Sequence, residues 1–356
     1  MAHKAFKTKL KLNNSQCTLM AQHAGFGRWV WNWALRLWGE AYREGLKPNA
    51  GKLKKLFTSH IKPQYQWMSE LSSRVYQYTF EHLSDAFNRF FKGLAKYPNF
   101  KKKGWHDSFT LDATPRPFKL GGLRHKLPVI GWVQTHEALP DCQTKKVTIS
   151  REAHGWYLSF ASEFEPEETS KTREIVGVDL GINSLATLSS GLVFPNLKPY
   201  RNALKRLLIL QRSVSRKVKG SNNRNKAINS LARQHQKIVN IRKDALHKLT
   251  TYLAKKHGSV VIEDLHVAGM MKNHQLAGAI ADAAFGEFRR QLEYKCQWYG
   301  SKLVVVDRFF PSSQLCSRCN HQQKMPLKVR TYDCPKCGLS IDRDLNASIN
   351  LENAVG

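Results

Sequence analysis

Two apolar runs, each ending in an acid, limit what this chain can fold into. Ile175-Val176-Gly177-Val178 leads into Asp179 and then Leu180-Gly181, and Ser259-Val260-Val261-Ile262 leads into Glu263-Asp264. Such short, β-branched runs read as buried strands. Each delivers a carboxylate to the open end of its strand, and strand ends far apart in sequence converge when they share a sheet. Asp344, in a terminal helix expected over Asp342–Ala354, can bring a third acid to the same rim. Hard oxygen ligands of this kind hold Mg²⁺ or Mn²⁺, and two such ions about 4 Å apart clamp both oxygens of a phosphodiester displacement. The plainer reading is that Asp179 and Glu263 cap loops and Asp344 sits where a helix dipole favours it.

Acids at buried strand ends stand out because the chain is so basic. Its 57 Lys and Arg against 27 Asp and Glu leave a formal charge of +30, carried with 42% hydrophobic residues and 10% aromatics. That combination points to folded surfaces that bind a polyanion, nucleic acid first, with a ribosomal-type structural role or an anionic membrane surface as alternatives. At 356 residues, two or three domains are expected. No run of about 18 apolar residues exists, so no transmembrane helix is expected, and nucleic acid rather than a membrane is the expected partner. The Met1–Lys7 segment lacks the apolar centre of a secretory signal, so the expected location is the cytoplasm.

Cys316-x2-Cys319 and Cys334-x2-Cys337, fourteen residues apart, have the spacing of two knuckles closing on one tetrahedral Zn²⁺. A closed four-cysteine site leaves no open position for water, so this zinc is expected to be structural. Arg318 and Arg330 stand close to it in sequence and are candidate nucleic-acid contacts. Cys17, Cys142 and Cys296 have no partner at ligand spacing.

Residues 5–12 alternate as a half-buried strand, and 15–94 are helical and aromatic-rich, with Arg74, Tyr76 and Gln77 among the candidate contacts to nucleic acid. After a basic linker at 97–104, β-like runs at 108–111, 129–133, 146–150 and 156–164 suggest a small barrel that the first strand joins, the helical block being inserted between. The acidic stretch 163–174 reads as the boundary. Beyond it, 198–257 form a helical hairpin with inner stripes Leu204, Leu207, Val214, Val218 and Ile228, Leu231, Ile238, Ala245, Leu249. It carries 17 Lys or Arg against the single acid Asp244, a bias that would repel itself without a phosphate backbone alongside. Arg201, Lys205, Arg212, Arg216, Lys217 and Arg224 are its candidate contacts. A helix over 277–299 stops at Gly300, and 302–306 is a further strand.

The Ile175–Gly181 and Val260–Leu265 segments, the cysteine ribbon and Asp342-Arg343-Asp344-Leu345-Asn346-Ala347-Ser348 together resemble the TnpB (OrfB) proteins of insertion sequences, relatives of compact type V CRISPR nucleases. Phe309–Ser313, Tyr97–Lys103 and Lys146–Phe160 extend the likeness. The resemblance implies an α/β multi-domain protein, with an RNase H-like RuvC domain at 171–308 and 341–356 around a target-binding zinc ribbon at 309–340. It also implies a wedge β-barrel from 1–14 and 96–170, and a helical recognition lobe at 15–95. The implied activity is Mg²⁺-dependent, RNA-guided cleavage of double-stranded DNA beside a short adjacent motif, by a monomer in complex with a guide RNA from the element's end. The family's Asp, Glu and Asp fall on Asp179, Glu263 and Asp344, the last chosen over Asp342 because it is followed by x-Asn-Ala; Asp342 is then an N-cap. Two rival readings are an RNA-guided regulator that does not cut, against which the intact acids count, and a transposase or accessory protein of the element. No His-x-His pair exists for the metal site of single-strand tyrosine transposases.

Overall fold

The computed structural model describes residues 2–113, 116–166, 169–326 and 328–355. The chain forms two units, His3–Phe164 and Glu165–Gly356. Their division falls inside the acidic stretch expected to be a boundary, of which Glu167 and Glu168 lie outside the described residues.

In the first unit, β1 (Ala2–Lys11) runs directly into α1 (Asn14–Arg43). Asn13 starts that helix with a reciprocal cap, its side chain accepting from the Gln16 N–H at 2.8 Å while Gln16 Oε1 accepts from the Asn13 N–H at 3.0 Å. After α2 (Ala50–Leu56) and a run of irregular turns comes α3 (Ser73–Phe91). Phe26, Val30 and Ala34 of α1 and Val75, Phe80, Leu83 and Phe87 of α3 are buried in one core, with the Trp38 and Phe87 rings stacked at 3.9 Å. The helical periodicity of these aromatics is thus spent on packing.

Strands β2 (Ser108–Asp112), β3 (Phe118–Leu127), β4 (Gly131–Thr144), β5 (Lys146–Glu152) and β6 (Gly155–Phe164) complete a six-stranded sheet in the order β2-β5-β6-β1-β4-β3. The first strand sits inside it, with the three helices inserted between β1 and β2, as expected. The expected strand over 129–133 is wrong in its bounds: Val129 lies at φ +67° in the turn between β3 and β4. β3, masked in sequence by its Gly, Lys, Arg and His, was missed.

The second unit is built on a mixed sheet of β7 (Arg173–Leu180), β8 (Ser184–Leu188), β9 (Val193–Pro195), β10 (His257–Glu263) and β11 (Lys302–Val306), in the order β11-β10-β7-β8-β9. β10 pairs in parallel with both β7 and β11, while β7 to β9 form an antiparallel meander. Between β9 and β10 run α4 (Pro199–Ser215) and α5 (Asn222–Lys256), the expected hairpin. Its inner stripes are shorter than expected: Leu207, Ile238 and Leu249 are buried, but Leu204, Val218 and Ile228 are exposed.

Two short helices, α6 (Val267–Met270) and α7 (Ala277–Ala283), precede α8 (Phe285–Tyr299). The single helix expected over 277–299 is broken at Ala284, at φ +56°, and ends at Gly300, at φ +67°. Hairpin β12 (Thr331–Asp333) and β13 (Ser340–Asp342) leads into α9 (Arg343–Asn353). Among the described residues no helix is long and apolar enough to cross a membrane.

Candidate metal centres

In the parallel pairing of β10 with β7, Ile262 lies opposite Val178. The next residues on the two strands are Glu263 and Asp179, so the register brings both acids to one end of the sheet. α9 lies against β7 at Gly177, where a Cβ would stand 1.9 Å from the Ser348 carbonyl oxygen. Arg173 adds a tie between the same elements, its guanidinium reaching both Glu352 oxygens at 2.7 and 2.8 Å. Asp344 therefore starts its helix close to the rim. Asp342 is its N-cap, accepting from the N–H groups of Asp344 and Leu345 at 2.9 and 3.0 Å.

The electrostatics register this gathering. Burial pushes the Asp179 carboxyl up to about 8, and the charges of Asp344, Glu263 and Asp342 push the same way against Arg343. Burial, then neighbouring Asp264, raises Glu263 as well. The three acids nonetheless stand apart from a closed ligand set. Asp344 accepts from Arg343 at 3.2 Å and has Arg330 at 3.9 Å. Among the described residues, the cysteines alone form a group of three or more metal-ligating side chains with donor atoms within 4.8 Å of one another. The donor set still suits a divalent cation: all three are hard carboxylates, and burial with neighbouring negative charge raises Asp179 and Glu263.

The cysteine centre is tighter. Cys316 and Cys337 sulfurs lie 3.5 Å apart, and those of Cys319 and Cys334 lie 3.6 Å apart. Tetrahedral zinc with its usual bond length separates thiolates by about 3.8 Å, so the cluster fits a structural Zn²⁺. Burial opposes ionisation of Cys334, but backbone N–H groups of Cys337 and Lys336 aimed at its sulfur help to bring it down to about 6. Gly338, at φ +70°, makes the turn after the last ligand. Tyr332, fully buried, donates from its hydroxyl to the carbonyls of His321 at 2.8 Å and Gln314 at 3.1 Å. Asn346 of α9 joins this module to the helix of Asp344 through Leu315 and Ser317.

The candidate nucleic-acid contacts divide. Arg201, Lys205, Arg212, Arg216, Arg318 and Arg330 are exposed, while Lys217 and Arg224 are half-buried. Tyr76 is a correction: it is buried against Phe26 and Phe57 and cannot read a base. Arg74 is held by Asp112 at 2.8 Å and donates to Gln77 at 3.1 Å, so both side chains have protein partners.

Two anchors escaped the sequence reading. Asp264 accepts from Arg289 at 2.5 Å and from Arg308, which steadies the segment after Glu263. The Glu-Asp pair itself was its signal. Asp282, buried, accepts from the N–H groups of Tyr200 and Arg201 at the start of α4 and pairs with Arg242 of α5 at 3.0 Å. Nothing in the sequence around it marks that role.

Comparison with known families and proteins agrees along the chain. The OrfB family model of IS605-type elements, described as "Probable transposase", matches residues 159–274. A "Cas12f1-like, TNB domain" matches 285–351, and a "Helix-turn-helix domain" of the OrfB type matches 1–47, a stretch that here folds as β1 and one 30-residue helix. A Streptomyces pristinaespiralis protein named "Putative RNA-guided DNA endonuclease" is 40% identical, with 98% of this chain and 88% of the relative aligned. The similarly named InsQ of Escherichia coli K12 is 34% identical over 98% and 91%. A solved Cas12f1, in complex with guide RNA and target DNA, has the same fold at a TM-score of 0.59 and 13% identity, over 96% of this chain and 83% of that one.

Proposed function

Because the chain belongs to the TnpB (OrfB) family of insertion-sequence proteins, we propose that it is an RNA-guided endonuclease that cuts double-stranded DNA at Asp179, Glu263 and Asp344. The observation that carries the reading is the register of β7 and β10, which sets Asp179 beside Glu263 at one end of the sheet, with the helix of Asp344 packed on Gly177. In this reading, 171–308 and 341–356 are the RuvC-like nuclease and 309–340 the target-binding ribbon. Residues 1–14 and 96–170 are the wedge, and 15–95 the recognition lobe.

Asp179, Glu263 and Asp344 would hold two Mg²⁺ or Mn²⁺ ions. Bound there, such ions activate water and offset charge on the phosphodiester. The rest belongs to the chain. Asp342 caps α9 and thereby aims the first turn that carries Asp344. Arg343 shields Asp344 until the site is loaded. The exposed cations of α4 track a nucleic-acid backbone, while base pairing with a guide RNA from the element's end reads the sequence. The working species is one copy of the chain with one guide RNA, bound to the target beside a short adjacent motif.

The test is to purify the chain with its copurifying RNA, sequence that RNA, and offer a plasmid bearing the complementary target with Mg²⁺. Cleavage by the wild type, lost in Asp179→Ala, Glu263→Ala and Asp344→Ala with target binding kept, is the expected outcome. Cutting by any of the three variants would sink the assignment; tight binding without cutting by the wild type would favour a regulator.

A further inference from the structure

We propose that Phe309 is a stacking platform for an unpaired base of the DNA strand delivered to the acidic rim, a reading that rests on the nuclease function proposed above. At 84% exposure it is the most exposed large apolar side chain among the described residues. Its backbone is held in a hydrogen-bonded turn. Its N–H donates to Asp307 Oδ1 at 2.8 Å, and the Phe310 N–H donates to the Asp307 carbonyl at 3.0 Å, which closes a tight turn.

That turn is tied to the rim on one side. Val306 stands opposite Glu263 in the β10–β11 pairing, and the Asp264 N–H donates to the Val306 carbonyl at 2.9 Å. Arg308, next to Phe309, is clamped onto the Asp264 carboxylate, which Arg289 also holds. Phe309 lies three residue steps along the chain from Val306, a reach of about 10 Å. The backbone that carries the ring is already ordered, so a flat partner that covers it orders only the side chain's own rotations. Its chain neighbours are exposed Arg308 and half-buried Phe310, with exposed Asp307 one residue further back; an apolar protein surface covering the ring would have to bury the charges of Asp307 and Arg308. A nucleobase instead offers a π-face for the ring and a phosphate for the arginines. The base must be unpaired, since a duplex offers no free face.

The experiment uses the full chain with its copurified RNA and a target strand carrying 2-aminopurine near the cut. Phe309→Ala and Phe309→Leu should raise KM about tenfold with kcat unchanged. Phe309→Trp should keep the wild-type KM, and probe emission should be quenched by the wild type and by Phe309→Trp but not by Phe309→Ala. The proposal falls if Phe309→Ala matches the wild type in KM and quenching, or if Phe309→Leu rescues as well as Phe309→Trp, or if Phe309→Ala unfolds at a lower temperature, which would mark a packing role. A wild type that quenches the probe but never cuts would tell against the nuclease reading and leave stacking standing.

Discussion

Gly177 of β7 and Ser348 of α9 meet so closely that a Cβ at position 177 would stand 1.9 Å from the Ser348 carbonyl oxygen and 2.6 Å from the Glu352 nitrogen. Both obstacles are backbone, so the helix would have to move. Gly177→Ala should therefore lower stability by about 1–3 kcal/mol or more and carry Asp344 away from Asp179, with cleavage falling more than stability alone explains. Urea unfolding and plasmid cleavage check the two halves; a variant with wild-type values in both would remove this contact from the account.

Asp179 makes the metal-free protein sensitive to pH. Below the ordinary carboxylate value of 3.8 it is protonated in both folded and unfolded chains, and as pH rises toward about 8 only the unfolded chain releases the proton. This group's contribution to stability is thus full at low pH and is lost as pH rises through that window. Asp179→Asn should flatten the dependence and raise metal-free Tm at pH 8 while abolishing cleavage. Mg²⁺ should stabilise the wild type at that pH and leave the variant unchanged, as thermal scans with and without Mg²⁺ would show.

Asn346 couples the cysteine module to α9. Fully buried, it donates to the Leu315 carbonyl at 2.6 Å and accepts from the Ser317 N–H at 3.0 Å, on either side of Cys316. Asn346→Ala leaves the Ser317 N–H unpaired and takes one of two donors from the Leu315 carbonyl, which keeps the Asn350 amide at 2.8 Å, at a cost of about 1–3 kcal/mol. Zinc should leave this variant faster than the wild type when a colorimetric chelator is added, and equal release rates would refute the coupling.

The hairpin cations predict a salt dependence. Replacing Arg201, Lys205, Arg212 and Arg216, all exposed, with Ala should reduce the slope of log binding constant against log salt for RNA by about 3. An unchanged slope in a salt titration would show that these residues face no phosphate.

Much of the candidate site was legible before any coordinates. Asp179 and Glu263 were marked by the apolar runs before them and the cysteines by their spacing, whereas Asp342 became a cap only once the family resemblance assigned the third acid to Asp344. Tyr76 and the hairpin stripes were misread because periodicity tells which residues share a face and not what covers that face. Val129 was misread because a β-branched residue in the left-handed region contradicts its own propensity, and only the turn around it sustains the conformation.

By itself, the sequence determined which segments are strands buried on both faces, which four sulfurs can share a metal, and where cationic charge accumulates, because composition and short-range spacing control these directly. Tertiary structure alone decided that Glu263 stands beside Asp179, that Gly177 admits α9, and that Asp264 is clamped by Arg289 and Arg308. Each of those depends on register or close approach between segments far apart in the chain, and one residue of slip would turn the same side chains to the opposite face.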